Sequence, residues 1–223
     1  GATLRTAGTT AGSLFQFTGG SLSTGSDFIA LEGGTLNLNN PNLTLFSATN
    51  AALIYDTEGS ILGDPVFALD ASSILTSAVT VPLISINGGS LAPGAGGGGD
   101  LLRVGESGLP AASLTSSGPL IQLQNIAAGN FTVGSGTLFH VTGGSTLTAA
   151  GSFLDVTDSV LTFSGPLLRL VDGSTATNTA GPRIKVTGGS LTARALARFE
   201  GPGNVQNFTG PLLLATNTSV TLE

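Results

Sequence analysis

One five-residue phrase recurs from end to end of this 223-residue chain. It is a small residue or proline, two apolar residues, a polar residue and a further apolar one. Pro65-Val66-Phe67-Ala68-Leu69, Pro82-Leu83-Ile84-Ser85-Ile86, Pro119-Leu120-Ile121-Gln122-Leu123, Pro166-Leu167-Leu168-Arg169-Leu170 and Pro182-Arg183-Ile184-Lys185-Val186 are its clearest copies. With looser copies, the second position falls at Leu14, Phe28, Leu53, Val66, Leu83, Leu101, Leu120, Leu138, Phe153, Leu167, Arg183, Leu196 and Leu212. Those thirteen copies cover 198 residues in twelve steps, a mean spacing of about 16.5 residues. Strand-like units at a fixed short period predict a solenoid. A unit this small cannot bury its own apolar face, so copies must stack.

A second phrase follows the first: Gly19-Gly20-Ser21-Leu22, Gly33-Gly34-Thr35-Leu36, Gly88-Gly89-Ser90-Leu91, Gly143-Gly144-Ser145-Thr146-Leu147 and Gly188-Gly189-Ser190-Leu191-Thr192. Glycine pairs suit tight turns that need positive φ. The residues around them alternate with the period of a strand. Each repeat therefore reads as strand, glycine turn, short strand, then a variable corner. No segment keeps a helical period for three turns.

These readings predict an all-β, single-stranded parallel β-helix of about 13 short coils, roughly 60 Å long at about 4.8 Å per coil. One solenoid domain is expected over residues 1–223, with a glycine-rich loop near 92–100. Phe15/Phe17, Ile29/Leu31, Phe67/Leu69, Ile84/Ile86, Ile121/Leu123, Phe139/Val141 and Leu168/Leu170 share one parity and should point inward. The residues between them should form one solvated column that includes Gln16, Arg103, His140, Asp155, Arg169 and Lys185. Leu83, Leu101, Leu120, Leu138 and Leu167 have outward parity yet are apolar. Either the proline corner turns them into the core, or they form an exposed apolar stripe that packs on a neighbour.

The strand–glycine–strand rhythm, carried by the Gly-Gly-Ser-Leu and Gly-Pro-Leu-Leu phrases, resembles the β-helix passenger domains of bacterial surface proteins. Filamentous haemagglutinin-like adhesins and autotransporter passengers are the families concerned. The resemblance implies export and a structural or adhesive role, with no catalytic residues to carry over. The hexapeptide rule of left-handed β-helices is absent, so a right-handed winding is expected.

Composition narrows the chemistry. There is no cysteine, so disulfides and thiolate metal sites are excluded. Net charge is −6 and no basic run exists, which argues against nucleic acid. Apolar runs are too short to span a membrane as a helix. The lone histidine, His140, is expected to be a solvated strand residue, with Asp155 one repeat later as its potential partner. Asp56, Glu58, Asp64 and Asp70 form the densest acidic group, and solvated turn residues are a better reading of them than a calcium site. Gly96 to Asp100 brushes against a glycine-rich calcium repeat in a single copy. No catalytic, cofactor or metal residues are assigned, and no enzyme activity is expected.

The chain begins with Gly1, which suggests processing or excision from something longer. It shows no capping segment at Ala2-Thr3-Leu4 or at Val220-Thr221-Leu222. Those six residues are the expected assembly interface, pairing head to tail into a homopolymer by strand addition. The resulting expectation is a non-catalytic structural solenoid, extracellular or on a bacterial cell surface, forming a fibre or an adhesin stalk with a cell-surface or glycan target. The alternative is a carbohydrate-binding or carbohydrate-cleaving β-helix. A cluster of carboxylates with basic residues on one face would favour that alternative.

Overall fold

The computed structural model describes residues 2–6, 8–55, 65–93, 99–134 and 137–223. Among them it holds twenty-two strands and no helix, and the strands pair in parallel. Stacked partners lie far apart in sequence. Thr3 faces Thr35, 32 residues on; Ile29 faces Phe67, 38 on; Ile184 faces Leu213, 29 on. One turn therefore consumes two copies of the phrase. The expected coil of about 16.5 residues is half a turn, and thirteen phrases build seven turns.

The turns stack in four columns. The first holds Thr3–Thr6, Thr35–Leu38, Ile74–Ser77, Ser113–Ser116, Thr146–Ala149, Thr175–Asn178 and Val205–Phe208. The second runs through Gly12–Thr18, Leu43–Thr49, Ile84–Asn87, Ile121–Gln124 and Leu213–Thr216. The third contains Ser21–Thr24, Ala52–Tyr55, Ser90–Pro93 and Ser219–Leu222. The fourth contains Ile29–Glu32, Phe67–Asp70, Leu102–Val104 and Phe139–Val141. Two long strands, Leu154–Val171 and Ile184–Glu200, run through the second, third and fourth columns of their turns. The clear phrases supply the second and fourth columns. The glycine phrases supply the corners that lead to the third and first.

The corner after the second column shows why the sequence tolerates only certain residues there. Its occupants are Gly19, Asn50, Gly88, Asn125, Asp158, Gly188 and Asn217, with φ between 48° and 70° in every turn. Glycine, asparagine and aspartate are the residues that enter this left-handed region at least cost. The serine that follows a corner also has work to do. Ser159 and Ser145 are fully buried, and their Oγ atoms accept from the N–H groups of Ile126 and Ala112 at 3.1 and 3.0 Å. A buried backbone donor at a bend is thereby paired.

Inside, the expected parity holds from the second turn to the sixth, but in the first turn Phe15 is exposed and Phe17, Ile29 and Leu31 are half-buried, because among the described residues they stack on a turn on one side only. Phe67, Leu69, Ile84, Ile86, Ile121, Leu123, Phe139, Val141, Leu168 and Leu170 are buried. Phe46 gathers Phe17, Phe28 and Phe67 at ring distances of 5.6, 5.9 and 5.2 Å. The apolar column of opposite parity is settled as core: Leu83, Leu101, Leu120, Leu138 and Leu167 are at most 1% exposed. The corner just before each strand rotates them inward.

One phrase position differs from the one the spacing predicts. Leu45, not Leu53, holds the phrase position in the second turn, since Phe46 stacks on Ile84 and the Leu45 N–H donates to Leu83 O at 2.9 Å. Leu53 belongs to the third column, between Leu22 and Leu91. Most of the expected loop near 92–100 lies outside the described residues, although Ser90–Pro93 is strand.

Candidate functional site: a charged ladder on the fourth column

Outward side chains of the fourth column follow its register. Ala30 stacks on Ala68, then Arg103, His140, Arg169 and Arg198 occupy successive turns. Three of the seven Lys and Arg residues, with the only histidine, thus stand on four adjacent rungs. The single solvated column expected from sequence is two columns. The second column carries Gln16, Ser47, Ser85, Gln122, Asp155 and Lys185.

This separation corrects the partner expected for His140. Asp155 stacks on Lys185 and pairs with it at 3.3 Å. His140 lies one half-turn away, and its Nδ1 meets Asp100 Oδ2 at 2.6 Å. Adjacent phrases alternate between columns, so only alternate phrases can touch.

Arg169 and Arg198 are like charges on neighbouring rungs and repel, and each arginine of the column is compensated by a carboxylate at the strand's edge. Arg103 Nη2 donates to Asp70 Oδ2 at 2.9 Å. Arg169 holds Glu200 through two bonds, Nε to Oε1 at 3.0 Å and Nη2 to Oε2 at 2.8 Å. Arg198 Nε reaches Glu200 Oε1 at 2.8 Å. Burial alone would lower the Arg103 pKa, but the hydrogen bond to Asp70 and nearby carboxylate charges raise it on balance. The hydrogen bond to Glu200 raises Arg169, and the same bond holds the Glu200 carboxyl below its ordinary value.

A cleft opens along these rungs, lined by Asp100, Arg103, Glu106, Ser107, His140, Thr142 and Arg169. It holds about 110 Å³, less than an enclosed small-ligand pocket, and admits only part of a larger molecule. Arg103 Nε and His140 Nε2 are buried and have no hydrogen-bond partner among the described residues. Such donors and acceptors, with the hydroxyls of Ser107 and Thr142, can bind a polar molecule.

Of the acidic group expected near the second turn, Asp56, Glu58 and Asp64 lie outside the described residues, and Asp70 is the partner of Arg103. Asp100, from the glycine-rich calcium-like stretch, serves His140 instead. Among the described residues no three His, Cys, Asp or Glu side chains gather as a metal site.

The six residues expected at an assembly interface lie at opposite ends. Ala2, Thr3 and Leu4 are exposed at the first turn of the first column. Val220, Thr221 and Leu222 are on the last turn of the third column, stacked on Leu191, Thr192 and Ala193. They therefore belong to different columns. In a straight stack Thr3–Thr6 would face Val205–Phe208, and Ser219–Leu222 would face Ser21–Thr24. No helix among the described residues is long and apolar enough to cross a membrane. No protein-family model, curated protein or solved structure matches the chain.

Proposed function

We propose that this chain is a non-catalytic structural β-solenoid of right-handed winding, exported to a bacterial cell surface or extracellular matrix, whose end turns pair with those of further copies to build a fibre. The observation that supports this reading is the state of the two end turns. Among the described residues, the strands of the first turn pair only with the second, and those of the last turn only with the sixth. Large apolar side chains are exposed at both ends: Leu4 and Phe15 at one, Val205, Phe208, Leu214 and Leu222 at the other. Strand edges beside exposed apolar side chains are what β-augmentation uses. Turns of like geometry at the two ends make a heterologous, propagating contact.

Negative-stain electron microscopy of the purified chain over a concentration series tests it. Fibres with an axial repeat of about 34 Å, seven turns at about 4.8 Å each, are expected. Isolated short rods at every concentration would sink the fibre.

A further inference from the structure

We propose that the cleft between Arg103, His140 and Arg169 is a binding site for a neutral oligosaccharide laid along the solenoid axis. This goes beyond the fibre reading and does not depend on end-to-end assembly.

Only 9% of this chain's residues are charged, yet four basic side chains and four carboxylates converge on one column. Arg169 directly beside Arg198 is a costly arrangement for a merely solvated face. The second column, with Ser47, Ser85 and Gln122, shows that this chain can face water without one.

The ligand class follows from the charge balance. Arg103, Arg169 and Arg198 are matched by Asp70, Asp100, Glu106 and Glu200, so the ladder has no cationic excess. Each of the three guanidiniums already holds a carboxylate. A polyanion would have to displace those partners and approach Asp100 and Glu106. A polyol has the opposite requirement. Every hydroxyl both donates and accepts, so it needs cations and carboxylates interleaved.

The unsatisfied groups match that need. Arg103 Nε is an unused donor, and His140 Nε2 is unpartnered beside it. Glu106 is in no ion pair among the described residues, and its carboxylate is free to accept. Ser107 and Thr142 add hydroxyls that can do either. The rungs repeat at about 4.8 Å, close to the advance of an extended sugar chain per residue. A saccharide lying along the axis therefore meets a polar or charged side chain at each of the Arg103, His140 and Arg169 rungs. Among the described residues no aromatic ring lines the cleft, so binding is weak per site and suited to a multivalent surface.

The test uses the full chain, labelled with ¹⁵N, titrated with cellohexaose, mannohexaose and chitohexaose, and with hexagalacturonate as the anionic comparator. A neutral hexasaccharide is expected to shift the amide signals of Arg103, Ser107 and His140. Raising sodium chloride from roughly 50 to 500 mM should leave that binding unchanged, because no net charge is neutralised. The double variant Glu106→Ala/Ser107→Ala, both on the cleft wall, should weaken it about tenfold, in line with loss of two hydrogen bonds. Lys185→Gln, on the other column, should not. Absence of shifts at the cleft with all three neutral sugars overturns the proposal. So does binding that the double variant leaves intact, or salt-sensitive binding of hexagalacturonate alone. None of these outcomes bears on fibre formation, which microscopy reads separately.

Discussion

The guanidinium of Arg183 lies inside the solenoid, 4.9 Å from the ring centre of Phe153 and 5.1 Å from that of Phe208. It holds the second-column position that Leu45, Leu83 and Leu120 occupy in other turns, and it is 1% exposed. Nη2 donates to Asn207 O at 2.9 Å, but Nε and Nη1 have no partner among the described residues. Burial pushes its pKa down to about 10.

Arg183→Leu is therefore expected to stabilise the fold by about 2 kcal/mol, since an apolar side chain of similar size avoids burying a charge. The pH dependence has a definite sign. The folded pKa lies below the unfolded one, so the wild-type handicap is full below about pH 10 and shrinks as pH rises from there towards the ordinary arginine value. The gap in Tm between variant and wild type, followed from roughly pH 8 to pH 11, should narrow. A gap that widens, or a destabilised variant, contradicts this account.

Gly189 and Gly144 both sit at positive φ, 68° and 73°. A Cβ on Gly189 would fall 2.0 Å from Ser159 O on the neighbouring turn, whereas one on Gly144 would meet nothing within 4 Å. Gly144→Ala should cost about 1 kcal/mol of backbone strain. Gly189→Ala adds a clash with backbone and should cost at least about 3 kcal/mol. Urea denaturation of the two variants checks the ordering.

The Arg103–Asp70 pair is nearly dry, with side chains 14% and 8% exposed. Asp70→Ala strands the guanidinium and should cost about 3 kcal/mol. Replacing both residues with leucine should recover most of that loss. If the double variant is as unstable as the single one, desolvation is not the cause.

Val220→Pro separates assembly from folding. The Glu223 N–H donates inward to Ala193 O at 3.1 Å. Residues of a strand alternate the side to which their backbone groups point, so the Val220 N–H faces the free edge. Proline there removes no bond within the protomer and removes a donor from the edge. Fibres should vanish while circular dichroism and Tm stay within about 1 kcal/mol of wild type. Persistent fibres would place the contact elsewhere.

Glu200 gives a small acid dependence. Its pKa is lowered chiefly by the Arg169 hydrogen bond, so the pair stabilises the fold at neutral pH and loses that contribution as pH falls through the folded pKa. Arg169→Gln should flatten this part of the acid unfolding curve.

Much of the fold was legible in the sequence because solenoid stacking repeats one local rule. Period-two alternation identified the inward residues from Phe67/Leu69 to Leu168/Leu170, and glycine pairs marked the corners. Both signals are local: they depend on backbone conformation and on which face of one strand is apolar. The number of phrases per turn is not local. Pro65–Leu69 and Pro82–Ile86 read alike, yet closure of the turn places them in different columns. That placement separated His140 from Asp155 and brought it to Asp100, 40 residues away. It also stacked Arg103, Arg169 and Arg198 into one ladder. Arg183 shows the same division. Its place in the repeat follows from the sequence alone, but the corner that turns this column inward and the rings of Phe153 and Phe208 that receive it are tertiary. The sequence by itself determined strands, corners and an apolar lining, because those follow from chain chemistry over a few residues. The tertiary structure decided which charges meet, because that depends on how far the chain travels before it closes a turn.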